Sequence, residues 1–102
     1  MGGYPSDYYV MPEHKVILSE DRKQVWIIQP LPLVNKNDLN VEVHQRGFCV
    51  DFNPMKKKPV HKCIPFSYEV DINSATAKFE EGVLTIMANI VKSREGKQVS
   101  LD

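Results

Sequence analysis

The chain has 102 residues, the length of one ordinary domain, and its 42% hydrophobic and 25% charged composition excludes disorder over most of that length. Thirteen basic and thirteen acidic residues cancel, so a partner selected mainly by electrostatics, such as duplex nucleic acid or an acidic membrane, is not expected. No apolar run approaches the roughly 20 residues needed to span a bilayer, and Met1-Gly2-Gly3-Tyr4 offers neither a basic segment nor an apolar core, so no signal peptide is read and a cytoplasmic location is the expectation.

Residues 1–14 form a tyrosine-, proline- and glycine-bearing lead-in. Lys15-Val16-Ile17-Leu18 is a short strand closed by the polar turn Ser19–Lys23. Val25-Trp26-Ile27-Ile28-Gln29 is β-branched and aromatic and reads as a buried strand, ended by Pro30 and Pro32, which donate no ladder hydrogen bonds. Asn35–Asp38 is turn chemistry. Leu39, Val41 and Val43 then alternate with Asn40, Glu42 and His44, and Phe48, Val50 and Phe52 alternate with Cys49 and Asp51. Both runs have the period of half-buried strands, and Gln45-Arg46-Gly47 joins them as a hairpin. Asn53–Pro59 is a basic loop, Val60–Phe66 a further strand, and Ser67–Ser74 a mostly polar stretch with room for one turn. Ala75–Glu80 alternates again, Glu81-Gly82 turns the chain, and Val83–Ala88 is the last strong strand. A charged linker, Lys92–Gln98, leads to Val99-Ser100-Leu101. Short strands separated by turns, with no helical periodicity, predict an all-β antiparallel sandwich over residues 15–91.

The residues that bear chemistry do not form a recognisable catalytic set. His14, His44, His61, Cys49 and Cys63 lack metal-ligand spacings such as Cys-x-x-Cys, and two cysteines are too few and too far apart to read as a disulfide framework. They are therefore read as exposed histidines and free thiols, with no metal and no cofactor. His61 and Cys63 share a strand face, yet no oxyanion donor or glycine elbow accompanies them, so no enzyme is expected. Glu80-Glu81 and Glu20-Asp21 sit in turns, and Lys56-Lys57-Lys58 is a solvated loop. Val99 and Leu101 point the same way on an extended segment, a shape that enters a groove.

Ala77-Lys78-Phe79-Glu80-Glu81-Gly82-Val83-Leu84 resembles the A-x-x-x-n-G-V-L signature of the alpha-crystallin domain of small heat shock proteins, with Glu81 where asparagine is frequent. Val70-Asp71 is similar to the V-D that precedes this signature. Leu31-Pro32 followed by Lys36–Val43 is similar to the family's L-P-G-x-x-K-x-D-I-x-V-x-V stretch, with Leu33 where glycine is usual, and Val99-Ser100-Leu101 resembles its I-x-I/V tail. The resemblance covers about residues 15–101. It implies an immunoglobulin-like sandwich of about seven to nine strands, a stress-response chaperone that binds unfolding proteins without ATP, and oligomers in which the tail of one subunit packs into an edge groove of another.

Two departures accompany it. The family's long N-terminal arm is reduced to residues 1–14, and the Phe52–Val60 loop has little room for the strand that many members exchange with a partner. A monomer, or assembly through another edge, stays open. The family signature residues are Ala77, Gly82, Val83 and Leu84. The candidate binding residues are Val60, Cys63 and Ile64 on one edge and Val83, Leu84 and Ile86 beside a groove, with Val99 and Leu101 as the assembly tail. The partners implied are unfolded or partly folded client proteins. The alternative is a CS-type co-chaperone or interaction module, which shares the sandwich, lacks the exchanged strand and binds one folded partner.

Overall fold

A computed structural model describes residues 9–54, 58–93 and 99–101. Residues 1–8 of the lead-in, Met55, Lys56 and Lys57 of the basic loop, residues 94–98 of the expected linker Lys92–Gln98, and Asp102 lie outside the described residues, while Lys92 and Ser93, expected in that linker, belong to the last strand. Among the described residues, seven strands run in chain order: β1 (Lys15–Leu18), β2 (Gln24–Pro30), β3 (Asn40–His44), β4 (Gly47–Phe52), β5 (Val60–Pro65), β6 (Tyr68–Glu80) and β7 (Val83–Ser93), with one 3₁₀ turn at Lys36–Asp38. They form a four-stranded sheet ordered β1-β2-β7-β6 and a three-stranded sheet ordered β3-β4-β5. Every pair is antiparallel. The fold is the expected all-β sandwich.

Period-2 alternation builds the core. On β2, Val25, Ile27 and Gln29 are buried while Trp26 and Ile28 are half-buried on the outer face. The register pairs Val25 with Ala88 and Ile27 with Ile86, so both strands turn the same alternate residues inward. Phe48, Val50 and Phe52 do the same from β4. Phe66 stacks between Phe48 and Tyr68, with ring centroids 6.0 and 5.3 Å apart. Gln29 is the buried polar exception. Its Nε2 donates to the Pro12 carbonyl at 2.7 Å and to the Pro30 carbonyl at 2.8 Å, which pins the lead-in to the sandwich. Tyr9 adds an O–H donated to the Pro32 carbonyl at 2.8 Å and an edge contact on Phe52.

One segment departs from the sequence reading. The polar stretch Ser67–Ser74, expected to hold a turn, is strand: β6 runs unbroken from Tyr68 to Glu80. Tyr68 and Val70 alternate into the core and carry the strand through, and the polarity is absorbed by a register shift between Asp71 and Thr76. There the Ser74 hydroxyl donates to the Asp71 carbonyl at 2.6 Å and accepts from the Asn89 N–H at 2.9 Å, satisfying backbone groups the ladder leaves open.

Three connections require left-handed backbone. Glu81 and Gly82 both have positive φ, 51° and 77°, so the β6–β7 turn has two consecutive left-handed residues, as a two-residue hairpin with the sheet's own twist demands. Gly82 supplies the second at no steric cost, and its carbonyl accepts from the Leu31 N–H at 2.7 Å, joining the turn to the end of β2. Arg22, in the β1–β2 turn, sits at φ 59°. Leu33 sits at φ 67°, a conformation that glycine adopts without strain and a side chain with a Cβ does not.

Candidate functional site

The strand order leaves four edges: β1 and β6 in the larger sheet, β3 and β5 in the smaller. Where β3 faces β6, a cleft of about 270 Å³ opens between the sheets. Leu39 and Val41 form one wall, Ala77 and Phe79 the other, and Leu84 the floor, with Lys36 and Lys78 at the rim. Ala77 and Phe79 face inward because the β6–β7 register places them opposite Ile86 and Leu84. Since no strand among the described residues pairs with β6 on its outer side, these inward side chains line an opening instead of a closed core. An extended apolar segment laid here meets both side-chain pockets and an unpaired backbone edge.

A second opening, about 480 Å³, lies toward the β1 edge and is also lined by the first residue of β6. Val16, Leu18, Ile27, Phe66, Tyr68 and Ile90 line it, with His14 and Arg22 beside them. Val16 and Leu18 remain 46% and 39% exposed, an unusual cost for inward-facing aliphatics in a stable sandwich. The Tyr68 hydroxyl is buried without a hydrogen-bond partner among the described residues, and burial pushes it up to about 12. Sequence reasoning missed this opening because it draws on four separate segments. The one local signal was the short apolar run Val16-Ile17-Leu18, which does not show which face is open.

The residues singled out from sequence divide unevenly. Of the groove set, Leu84 and Ile86 are 1% and 0% exposed, so they serve as floor and core, while Val83 is half-buried at the turn. Of the edge set, Val60 and Ile64 pack half-buried against the core, whereas Cys63 lies on the opposite, outward face of β5. The groove walls Leu39, Val41 and Phe79 were not singled out. Their alternation marked them as inward, but nothing local says that the sandwich stays open beside them. In the tail, Val99 and Leu101 are 71% and 96% exposed, so the single chain does not fill its own groove with them.

The cysteines overturn the reading of two free thiols. Cys49 and Cys63 are joined in a disulfide. They are 14 residues apart in sequence, but the β4–β5 register sets them directly opposite with Cα atoms 4.1 Å apart. Two residues on along each strand, Asp51 faces His61, and the His61 Nδ1 bonds the Asp51 carboxylate. The His61 Nε2 lies 3.5 Å from the Cys63 sulfur. Carboxylate, imidazole and sulfur are thus aligned, but the sulfur is bonded to Cys49 and is no nucleophile in this state.

The strand order and open, apolar edges define an antiparallel two-sheet β-sandwich. No protein-family model and no curated protein sequence matches the chain. Solved structures do. Heat shock protein 16.0 from Schizosaccharomyces pombe superposes with a TM-score of 0.61 at 19% identity, over 87% of this chain and 75% of that one. A mutant of hsp14.1 from Sulfolobus gives 0.60 at 22% identity, over 78% and 77% of the two chains. A small heat-shock protein from Xylella fastidiosa, described as having a distinct high-order structure, gives 0.55 at 14% identity over 91% and 99%. The chain has the alpha-crystallin-type fold of these small heat shock proteins.

Proposed function

We propose that this protein is a small heat shock protein that binds exposed apolar segments of unfolding proteins without nucleotide and limits their aggregation. The observation that carries this reading is the cleft between the β3 and β6 edges, where Leu39, Val41, Ala77 and Phe79 stay open to an extended chain. The β1-edge opening adds a second apolar surface. No covalent chemistry is needed. Capture rests on burying apolar area at about 25 cal/mol per Å², offset by the ordering of the captured segment. The exposed Val99 and Leu101 supply an internal version of such a segment, and the same cleft on a second copy is the place for it.

The test is light scattering from a heat-stressed client mixed with the purified chain. Suppression that grows with chaperone concentration supports the proposal, and no suppression at molar excess overturns it. The interaction-module reading is favoured by one feature: β5 pairs with β4 directly, with only residues 53–59 between them, which leaves little room for an exchanged strand. A pull-down giving one folded partner at fixed stoichiometry, with no client suppression, selects that reading.

A further inference from the structure

The outward face of the β4–β5 hairpin carries four side chains in a square: Cys49 and Asp51 on β4, Cys63 and His61 on β5. Two cross-strand pairs, spaced by two residues on each strand, bring together what the linear spacing hides. The ligand atoms of Cys49, His61 and Cys63 all lie within 4.8 Å of one another. Two features of the arrangement suit a cation. First, the 3.5 Å between the His61 Nε2 and the Cys63 sulfur is about the edge of a tetrahedron with one zinc–sulfur bond of about 2.3 Å and one zinc–nitrogen bond of about 2.0–2.1 Å. Second, His61 is held by a carboxylate on its other nitrogen. With the proton on Nδ1 donated to Asp51, the Nε2 lone pair faces the sulfurs, which is how metal-bound histidines are oriented.

We propose that the reduced chain binds one Zn²⁺-class cation through Cys49, Cys63 and His61, with Asp51 as a positioning residue and water at the fourth ligand position, and that the disulfide is the closed form of this site. Opening it takes a two-electron reductant. A dithiol gives two electrons and two protons to the Cys49–Cys63 bond and itself becomes a disulfide; a phosphine gives the two electrons and takes the oxygen of one water to become its oxide, and that water's two protons complete the two thiols. Metal binding then releases those two protons as the thiolates coordinate. The two sulfurs need to move apart to about 3.7 Å, the sulfur–sulfur edge of a tetrahedral site. Cys63 and His61 are exposed, so the cation has a direct path from solvent. Both states are therefore accessible without unfolding the core, which lies on the other face of β4.

The test uses the untagged full chain reduced with a phosphine under anaerobic conditions, titrated with Zn²⁺ against a chromophoric chelator, and with Co²⁺ as a spectroscopic stand-in. The expected result is one equivalent bound, a sulfur-to-cobalt charge-transfer band and the intense visible bands of tetrahedral Co²⁺. Cys63→Ser abolishes the charge-transfer intensity expected of two thiolates. Asp51→Asn leaves the stoichiometry at one and weakens affinity about 10- to 100-fold. The oxidised chain binds none at this site. Failure of the reduced chain to take up one equivalent overturns the proposal. So does binding that survives oxidation, or that is unchanged in His61→Ala and Cys63→Ser. Because Asp51, His61 and Cys63 lie on the outward face, circular dichroism of each variant confirms folding, and Asp51→Asn and His61→Ala carry the test if Cys63→Ser does not fold.

Discussion

At the scale of single residues, three described residues other than glycine, Arg22, Leu33 and Glu81, stand in left-handed backbone, and Leu33 is the bulky aliphatic among them. Leu33 holds φ 67° while 66% of its surface is exposed, so it accepts left-handed strain for little burial. Leu33→Gly removes a penalty of about 1–2 kcal/mol and gives back part through a more flexible unfolded chain. A net gain of about 0.5–1 kcal/mol is expected, read as a higher urea midpoint at unchanged m-value. Gly47 is the opposite case. A Cβ there would stand 2.6 Å from the Ile64 carbonyl oxygen, a backbone atom that cannot swing away. Gly47→Ala should cost about 1–3 kcal/mol, as overpacking does, and should loosen the β4–β5 pair first.

Tyr68 gives a pH-dependent prediction. Its hydroxyl is buried without a hydrogen-bond partner among the described residues, and burial pushes it up to about 12. The folded state therefore favours the neutral phenol more than the unfolded state does, where the group ionises near 10. Stability is fully present below about pH 10 and falls as pH rises toward 12, because the unfolded chain loses the proton first. Tyr68→Phe should flatten this alkaline limb, and at neutral pH should be neutral or stabilising, since no hydrogen bond is lost. Urea midpoints at pH 8 and near 11 measure both effects. A mutant as alkali-sensitive as the wild type would place the sensitivity elsewhere.

At the scale of elements, strand positions were legible because period-2 alternation is a local signal. Leu39-Asn40-Val41-Glu42-Val43 and Phe48–Phe52 show it directly, and β3 and β4 stand where it puts them. The start of β6 was not legible. Glu69, Asp71, Asn73 and Ser74 make the segment look like a loop, and only the core positions of Tyr68 and Val70 keep it in the sheet. The disulfide was hidden for a related reason. Pairing of Cys49 with Cys63 depends on register across a hairpin, which is set by inward residues such as Phe48 opposite Ile64, not by the cysteines. Closing a loop of this size stabilises a fold by about 3 kcal/mol in the chain-entropy view. Reduction should therefore lower the urea midpoint, and Cys49→Ala/Cys63→Ala should match the reduced protein and no longer respond to reductant. A reduced wild type as stable as the oxidised one would show that the link adds nothing to the fold.

For the whole molecule, the sandwich itself followed from sequence, while its openings did not. The signature Ala77–Leu84 pointed to the right hairpin, but it marked Leu84, which is the floor of the cleft, and passed over Val41 and Phe79, which form its walls. Which core positions stay open depends on how two sheets diverge at their edges, and no local pattern encodes that. The tail carries two apolar side chains, worth about 1.5–3 kcal/mol each when fully buried. Ordering a charged linker offsets much of that, so one tail in one groove is a weak contact that gains strength only by repetition within an assembly. Native mass should fall on removal of residues 99–102 if such contacts hold copies together, and Ala77→Glu, which places a charge in the groove without removing core volume, should give the same fall. Unchanged mass in both would show that assembly, if any, uses another edge.

Amide hydrogen exchange of this chain, measured with and without a heat-destabilised client, tests most directly the proposed capture of client polypeptide in the cleft between the β3 and β6 edges. Slowed exchange in β3 around Val41 and in β6 from Ala77 to Phe79, with the interior strand β7 unchanged, is the predicted result. Client that co-purifies with the chain while leaving exchange in both edges unaltered would contradict it.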